Sequence, residues 1–147
     1  MSLRVRYELS IAVFVIFVRG QEICMLRRKG TGWMDGAFSL PAGGLEEGET
    51  IRMAAIREAR EETGVVIAPE NLHHVHTLHS KTEGRVWMGH FFRTETWERT
   101  PAVCEPDKHD AMQWYKADAL PGATIPYVRQ ALSCISRQQP YSEYGWD

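Results

Sequence analysis

The sequence predicts an α/β fold, a mixed sheet with helices packed on it. Strand-like runs, apolar or alternating, recur along the chain, at "SIAVFVIFV", "EICMLRR", "LHHVHTLHS", "RVWMGHFFRTETW" and "AMQWYKA". Between them lies one helical segment from Thr50 to Gly64, and a second follows Pro126. Strands interleaved with two helices are the pattern of a sheet covered by helices, not of a bundle or a sandwich of sheets.

The opening "MSLRVRYELSIAVFVIFVRG" imitates a signal peptide, with Arg4 and Arg6 ahead of the apolar run Ile11 to Val18. Glu8 interrupts it, no small-residue cleavage site follows, and the run is too short to span a membrane. Its β-branched and aromatic residues read instead as a buried strand. "RGQEICMLRRKG" then supplies a hairpin turn and a second strand, and "GTGWMDGAFSLPAGG" a Gly-rich connection. The helix from Thr50 is closed by Gly64 as its C-terminal cap. In "RVWMGHFFRTETW", Val86, Met88, His90 and Phe92 share one face. A polar loop from Glu98 to His109 leads into "AMQWYKA". The last helix begins at Pro126, a favoured first-turn position, and carries Val128, Leu132 and Ile135 as its apolar stripe.

The chain has 147 residues, enough for one ordinary domain, 1–147, with its own core. No internal repeat, low-complexity tract or linker divides it. With 44% hydrophobic and 24% charged residues it reads as globular. A net charge of -2 gives no electrostatic footprint for a nucleic-acid polymer or an anionic membrane, so a small ligand is the expected partner. Cys24, Cys104 and Cys134 are odd in number and far apart, which argues against a disulfide framework or a thiolate zinc site and for a reducing, cytoplasmic setting. The chain is expected to act as a monomer or homodimer.

The stretch "GGLEEGETIRMAAIREAREETGV" is the chemical centre of the sequence. At about 100° per residue, Ile51, Ala54, Ala55, Glu58, Glu61 and Glu62 fall on one helix face, so carboxylates continue an apolar stripe. A solvated face would carry its charges opposite that stripe. Carboxylates held close repel and resist ionisation unless neutralised, and hard divalent cations prefer such oxygen ligands. Arg57 and Arg60 point to other sides as structural counter-ions.

Gly43, Glu49, Arg57, Glu58, Glu61, Glu62, Gly64 and Val65 together resemble the box of the Nudix hydrolases: Gly, five residues, Glu, seven residues, Arg-Glu-U-x-Glu-Glu-x-Gly-U, with U a bulky aliphatic. Ala59 departs as a smaller hydrophobe, which touches packing more than chemistry. "SLPAGG" before the box and "WYKADALP" after it extend the similarity weakly over most of the chain. The resemblance implies the family's α/β/α sandwich and a magnesium-dependent pyrophosphohydrolase, with manganese as an alternative ion. It implies metal ligands at the Ala42 carbonyl, Glu58, Glu61 and Glu62, and a brace between Arg57 and Glu49, with Gly43 and Gly64 structural. Glu105 lines up with a loop glutamate that reaches the metals in MutT-like relatives, with Asp107 as a substitute; both also fit a solvated loop beside Lys108.

After the box, no signature of the ADP-ribose, dinucleoside polyphosphate, coenzyme A or NADH branches is found. The expected reaction by elimination is MutT-like: a nucleoside triphosphate, oxidised or not, is hydrolysed to monophosphate and pyrophosphate. Hydrolysis of another nucleoside diphosphate derivative, or a non-catalytic nucleotide-binding module, remain the alternatives. Trp87, Phe91, Trp97 and Trp114 are aromatic enough to stack a base, though each reads by itself as core; Trp114 and Thr124 are the expected substrate contacts. His73, His74, His76 and His79 match no standard zinc spacing, and alternation along a strand separates them. "RRK" at Arg27 to Lys29 reads as a solvated hairpin more than a phosphate contact.

Overall fold

In the computed structural model, which describes residues 4–147, the apolar run near the start becomes β1 (Ser10–Arg19), in the interior of an eight-stranded mixed sheet. The first three residues of the expected 1–147 domain lie outside this range. β2 (Glu22–Arg28) returns antiparallel from β1. The Gly-rich connection holds two short strands, β3 (Phe38–Ser39) beside β2 and β4 (Ala42–Gly44) beside β1. β5 (His73–Thr82) and β6 (Arg85–Thr94) form a hairpin, β7 (His109–Lys116) pairs with β2, and β8 (Tyr141–Tyr144) closes the edge next to β5. The path runs β3-β2-β1-β6-β5-β8, with β1–β6 and β5–β8 parallel and the other pairings antiparallel.

β1 is apolar on both faces because both faces are covered. Val13, Val15 and Phe17 point to one core, shared with Phe92 and with Ala54, Ala55 and Ala59 of α1 (Ile51–Thr63). Phe14 and Ile16 point to the other, shared with Leu78, Phe91 and the Val128, Ala131 and Leu132 face of α2 (Pro126–Ser136). Alternation along one strand thus builds two cores, and the result is an α/β/α sandwich. Among the described residues no helix is long and apolar enough to cross a membrane.

α1 has the boundaries its end residues dictate. The Thr50 side chain accepts the Met53 N–H at 3.1 Å, while Gly64 adopts φ 77° and donates its N–H to the Arg60 carbonyl. The three buried alanines let this helix lie close to β1, and that closeness brings its C-terminal half against β4.

Candidate active site

Glu58 and Glu62 continue the buried face of α1 beyond Ala54, Ala55 and Ala59, and only 9% and 6% of their surfaces are exposed. Their partners come from β4. The Ala42 N–H donates to Glu62 Oε2 at 3.2 Å, and a side chain on Gly43 would run into the Glu58 carboxylate. Position 43 therefore requires glycine for a close approach, not for its backbone angles.

Arg57 organises the rim. Its Nε and Nη2 donate to the two oxygens of Glu49 at 3.0 and 2.7 Å, a bidentate pair, and Nη2 also reaches the Gly44 carbonyl at 2.9 Å. Nη1 donates to Glu58 Oε1 at 2.7 Å and to Glu61 Oε2 at 3.3 Å. The arginine so ties the loop before α1 to two carboxylates on the helix. Glu61 itself lies off the buried face, with 49% of its side chain exposed, which corrects the helical-face reading that placed it with Glu58 and Glu62.

Burial pushes the Glu62 carboxyl up to about 8, and the nearby charges of Glu58 and Glu105 push in the same direction. Glu58 is also raised, by burial first, against the opposing pull of Arg57. The loop ahead of β7 supplies the rest of the wall. Its carbonyl at Glu105 accepts the N–H groups of Lys108 and His109, and the Glu105 carboxylate meets Lys108 Nζ at 3.5 Å. His109, 8% exposed, points Nε2 at Glu62 Oε2 across 3.9 Å, and its buried Nδ1 has no hydrogen-bond partner. Burial holds this imidazole below its ordinary value, so it is neutral at pH 7.

These groups line a cavity of about 580 Å³ whose walls include Arg28, Gly43, Glu58, Glu62, Lys108 and His109. Asp107 lines it as well, and Glu105 is close enough to shift both buried glutamates. Among the described residues no three carboxylate, imidazole or thiol groups already converge on one ligand-sized point, and Arg57 donates to Glu58 and Glu61. The donors nevertheless fit a hard divalent cation: they are oxygens, two are buried, and their mutual repulsion is relieved by positive charge.

Sequence reasoning did not single out His109, and it weighed Arg28 only within "RRK", with the phosphate reading second to a solvated hairpin. Arg28 lies inside "RRK", where Arg27 does take the solvated role in an ion pair with Asp110 at 2.6 Å. His109 carries no local signal beyond being a polar residue at the start of a half-buried strand. Trp114 and Thr124 do not line the cavity, against expectation. Trp114 projects to the α1-side core, stacks on Trp97 at 6.1 Å and carries the Arg19 guanidinium 4.0 Å above its ring. Thr124 is buried, and its hydroxyl donates to the Pro121 carbonyl at 2.6 Å.

An adjoining cleft of about 320 Å³ shares Gly44 with the cavity and has the rings of Trp33 and Trp87 in its walls. Their indole N–H groups donate to Glu83 at 3.2 Å and Thr82 at 2.9 Å; Tyr127 packs against both rings, and the Arg28 guanidinium lies 5.0 Å over Trp33.

The NUDIX domain pattern matches residues 7–135, and the chain belongs to that family. It is 31% identical over 123 residues to the 8-oxo-dGTP diphosphatase of Escherichia coli, covering 82% of this chain and 94% of that protein. It is 30% identical over 114 residues to the NAD-capped RNA hydrolase NudC of Pseudomonas aeruginosa, covering 78% of this chain but only 38% of that longer protein. The crystal structure of a MutT NUDIX hydrolase from Burkholderia pseudomallei superposes with a TM-score of 0.79 at 25% identity, covering 86% of this chain and 98% of that one. The chain is a MutT-like member of the Nudix hydrolase family, and it spans well under half the length of the NudC relative.

Proposed function

We propose that this enzyme hydrolyses nucleoside triphosphates, with oxidised bases among them, to nucleoside monophosphate and pyrophosphate in a magnesium-dependent reaction. The observation that carries the reading is one cavity holding two buried carboxylates, Glu58 and Glu62, together with two cationic side chains, Arg28 and Lys108. Opposite charges sharing one cavity suit a polyphosphate bridged to carboxylates through divalent cations. Glu58, Glu61, Glu62 and Glu105, with the Ala42 carbonyl, would hold magnesium, or manganese in its place, which neutralises phosphate charge and acidifies bound water.

The chain's own residues do the positioning. Arg57 fixes Glu58 and Glu49, and through the Gly44 carbonyl it fixes the strand that carries Ala42. Arg28 and Lys108 bind phosphate oxygens, while neutral His109 backs Glu62 without competing for the cation site. Glu105 stands on a loop free of Arg57 and serves as a further ligand or as the base for the attacking water. The base of the nucleotide is assigned to the adjoining cleft beside Trp33 and Trp87, in place of the Trp114 contact first expected.

The similarity to 8-oxo-dGTP diphosphatase over nearly that whole protein supports this reading over the RNA-cap activity named for the longer NudC. The test is pyrophosphate release from a panel of nucleoside triphosphates. Turnover is expected with Mg2+, is abolished by chelator, and falls roughly a hundredfold or more in Glu62→Gln. Full turnover in chelator would overturn the metal reading. Inorganic phosphate as the only product would overturn the assigned cleavage.

A further inference from the structure

Apart from the carboxylate cavity, one other cluster of ligand atoms stands out, on the β5–β6 hairpin. A register shift between His74 and His76 breaks the alternation of β5. It turns His76 into the fold, where its ring nitrogens meet the Gln139 carbonyl at 2.7 Å and the Ser142 hydroxyl at 2.8 Å. His74 is left on the same face as Thr77, and Thr77 pairs directly with His90 on β6. The outcome is a triangle of three atoms: His74 Nε2, His90 Nδ1 and Thr77 Oγ1, each 3.2 Å from the other two.

With one ring protonated on the facing nitrogen, the Thr77 hydroxyl can accept from it and donate to the other ring; with both facing nitrogens unprotonated, two lone pairs and the hydroxyl oxygen converge on one point. All three edges also lie at the long end of the normal range. A single cation satisfies all three atoms together. Two metal–nitrogen bonds of about 2.05 Å reaching atoms 3.2 Å apart enclose an angle of about 103°, close to tetrahedral.

The surroundings favour nitrogen ligation. Burial keeps both imidazoles below their ordinary value, so lone pairs are available at neutral pH, and binding needs only a tautomer shift to the other ring nitrogen. His74 and Phe92 meet in a T-shaped contact with centroids 5.4 Å apart, and the Arg52 guanidinium over Phe92 adds a positive charge that ligation by the two rings must outweigh. The two sites also differ in hardness: oxygens in the cavity suit magnesium, whereas paired imidazoles suit zinc, nickel or copper.

We propose that His74 and His90, with the Thr77 hydroxyl, form a second cation site on the sheet face, selective for a borderline transition-metal ion such as Zn2+ and separate from the catalytic carboxylates. The imidazole pair supplies the affinity. The hydroxyl and solvent complete the coordination.

To test this, Zn2+ is titrated against a chromophoric chelator with Mg2+ in millimolar excess to occupy the carboxylate cluster. The expected result is one bound equivalent, with affinity at least tenfold weaker in both His74→Gln and His90→Ala. Thr77→Val, which keeps the β-branched shape, should weaken it two- to fivefold, and His73→Ala and His79→Ala should leave it unchanged. Melting without zinc checks that each variant is folded, and the two independent histidine variants keep the result decisive if one is not. Absence of zinc binding by the parent protein overturns the site, as does unchanged affinity in both histidine variants. Loss of the equivalent on Cys104→Ser or His79→Ala instead would also overturn it.

Discussion

Burying the Glu62 carboxylate carries a cost that only a proton or a cation offsets. In the unfolded chain the group titrates at its ordinary 4.5, and in the fold at about 8. Between those values the folded chain keeps a proton that the unfolded chain has released. The stability this provides is complete below about 4.5 and is lost as pH rises through 8. Glu58 acts in the same direction. His109 acts oppositely: its depressed folded value makes stability rise up to its ordinary 6.5, so the glutamate effect is cleanest above pH 7. Chelator-treated protein should therefore lose on the order of a few kcal/mol of stability towards pH 9, read by urea unfolding across pH. Glu62→Gln has no charge to bury; it should flatten that profile and melt above the parent at pH 9. A steep alkaline loss that persists in Glu62→Gln would show that the burial cost lies elsewhere. The same residue scale explains what the sequence could not show. Glu61 and Glu62 are adjacent and identical in kind, yet one is exposed and the other buried, because α1 rolls its Glu61 edge towards Arg57 and solvent.

Among the elements, α1 was legible because its signals are local: Thr50 and Gly64 mark its ends, and a fixed spacing marks its face. Substituting those ends tests the local account. Thr50→Ala loses the acceptor for the Met53 N–H, and Gly64→Ala forces a side chain into φ 77° and against Cys104; each should cost about 1 kcal/mol in thermal unfolding. Both effects should appear with and without magnesium. The short strands β3, β4 and β8 were not legible, since their pairing comes from β2, β1 and β5 and leaves little periodicity in two to four residues. Trp114 was misplaced for a related reason: aromatic character signals burial or stacking, but only strand register decides which core it enters. The 98–109 loop lies between these cases, because its charges are visible in the sequence and their direction is not. It places the Glu105 carboxylate within influence of Glu58 and Glu62, and Asp107 on the cavity wall. If Glu105 is ligand or base, Glu105→Gln should lose roughly a hundredfold in turnover while Asp107→Asn stays near the parent. Near-parental turnover for Glu105→Gln over a range of magnesium concentrations would return that side chain to a solvated role.

At the scale of the molecule, two cores on either side of β1 fix α1 on one face and α2 on the other, and the carboxylate cavity opens where β4 meets the Glu58–Glu62 end of α1. The adjoining cleft extends that cavity by about 320 Å³, near the lower end of the ~300–1,000 Å³ common for small-molecule sites. On the proposed reading this cleft takes the single base of a mononucleotide. On that reading the phosphates of a triphosphate would run from Trp33 past Gly44 to Arg28 and Lys108, and the second sugar or nucleoside of dinucleoside polyphosphates, ADP-ribose and NADH has no assigned subsite. Nucleoside triphosphates should accordingly show kcat/KM at least tenfold above those three, equal to about 1.4 kcal/mol of transition-state discrimination. Competing each substrate against a triphosphate in one reaction, with products separated by chromatography, measures that ratio directly. A tenfold preference for ADP-ribose would place the second ribose in a subsite other than the Trp33–Trp87 cleft. Such a result would reverse the substrate assignment while leaving the proposed carboxylate chemistry intact, because Glu58 and Glu62 are assigned to the pyrophosphate bond and not to what lies beyond it.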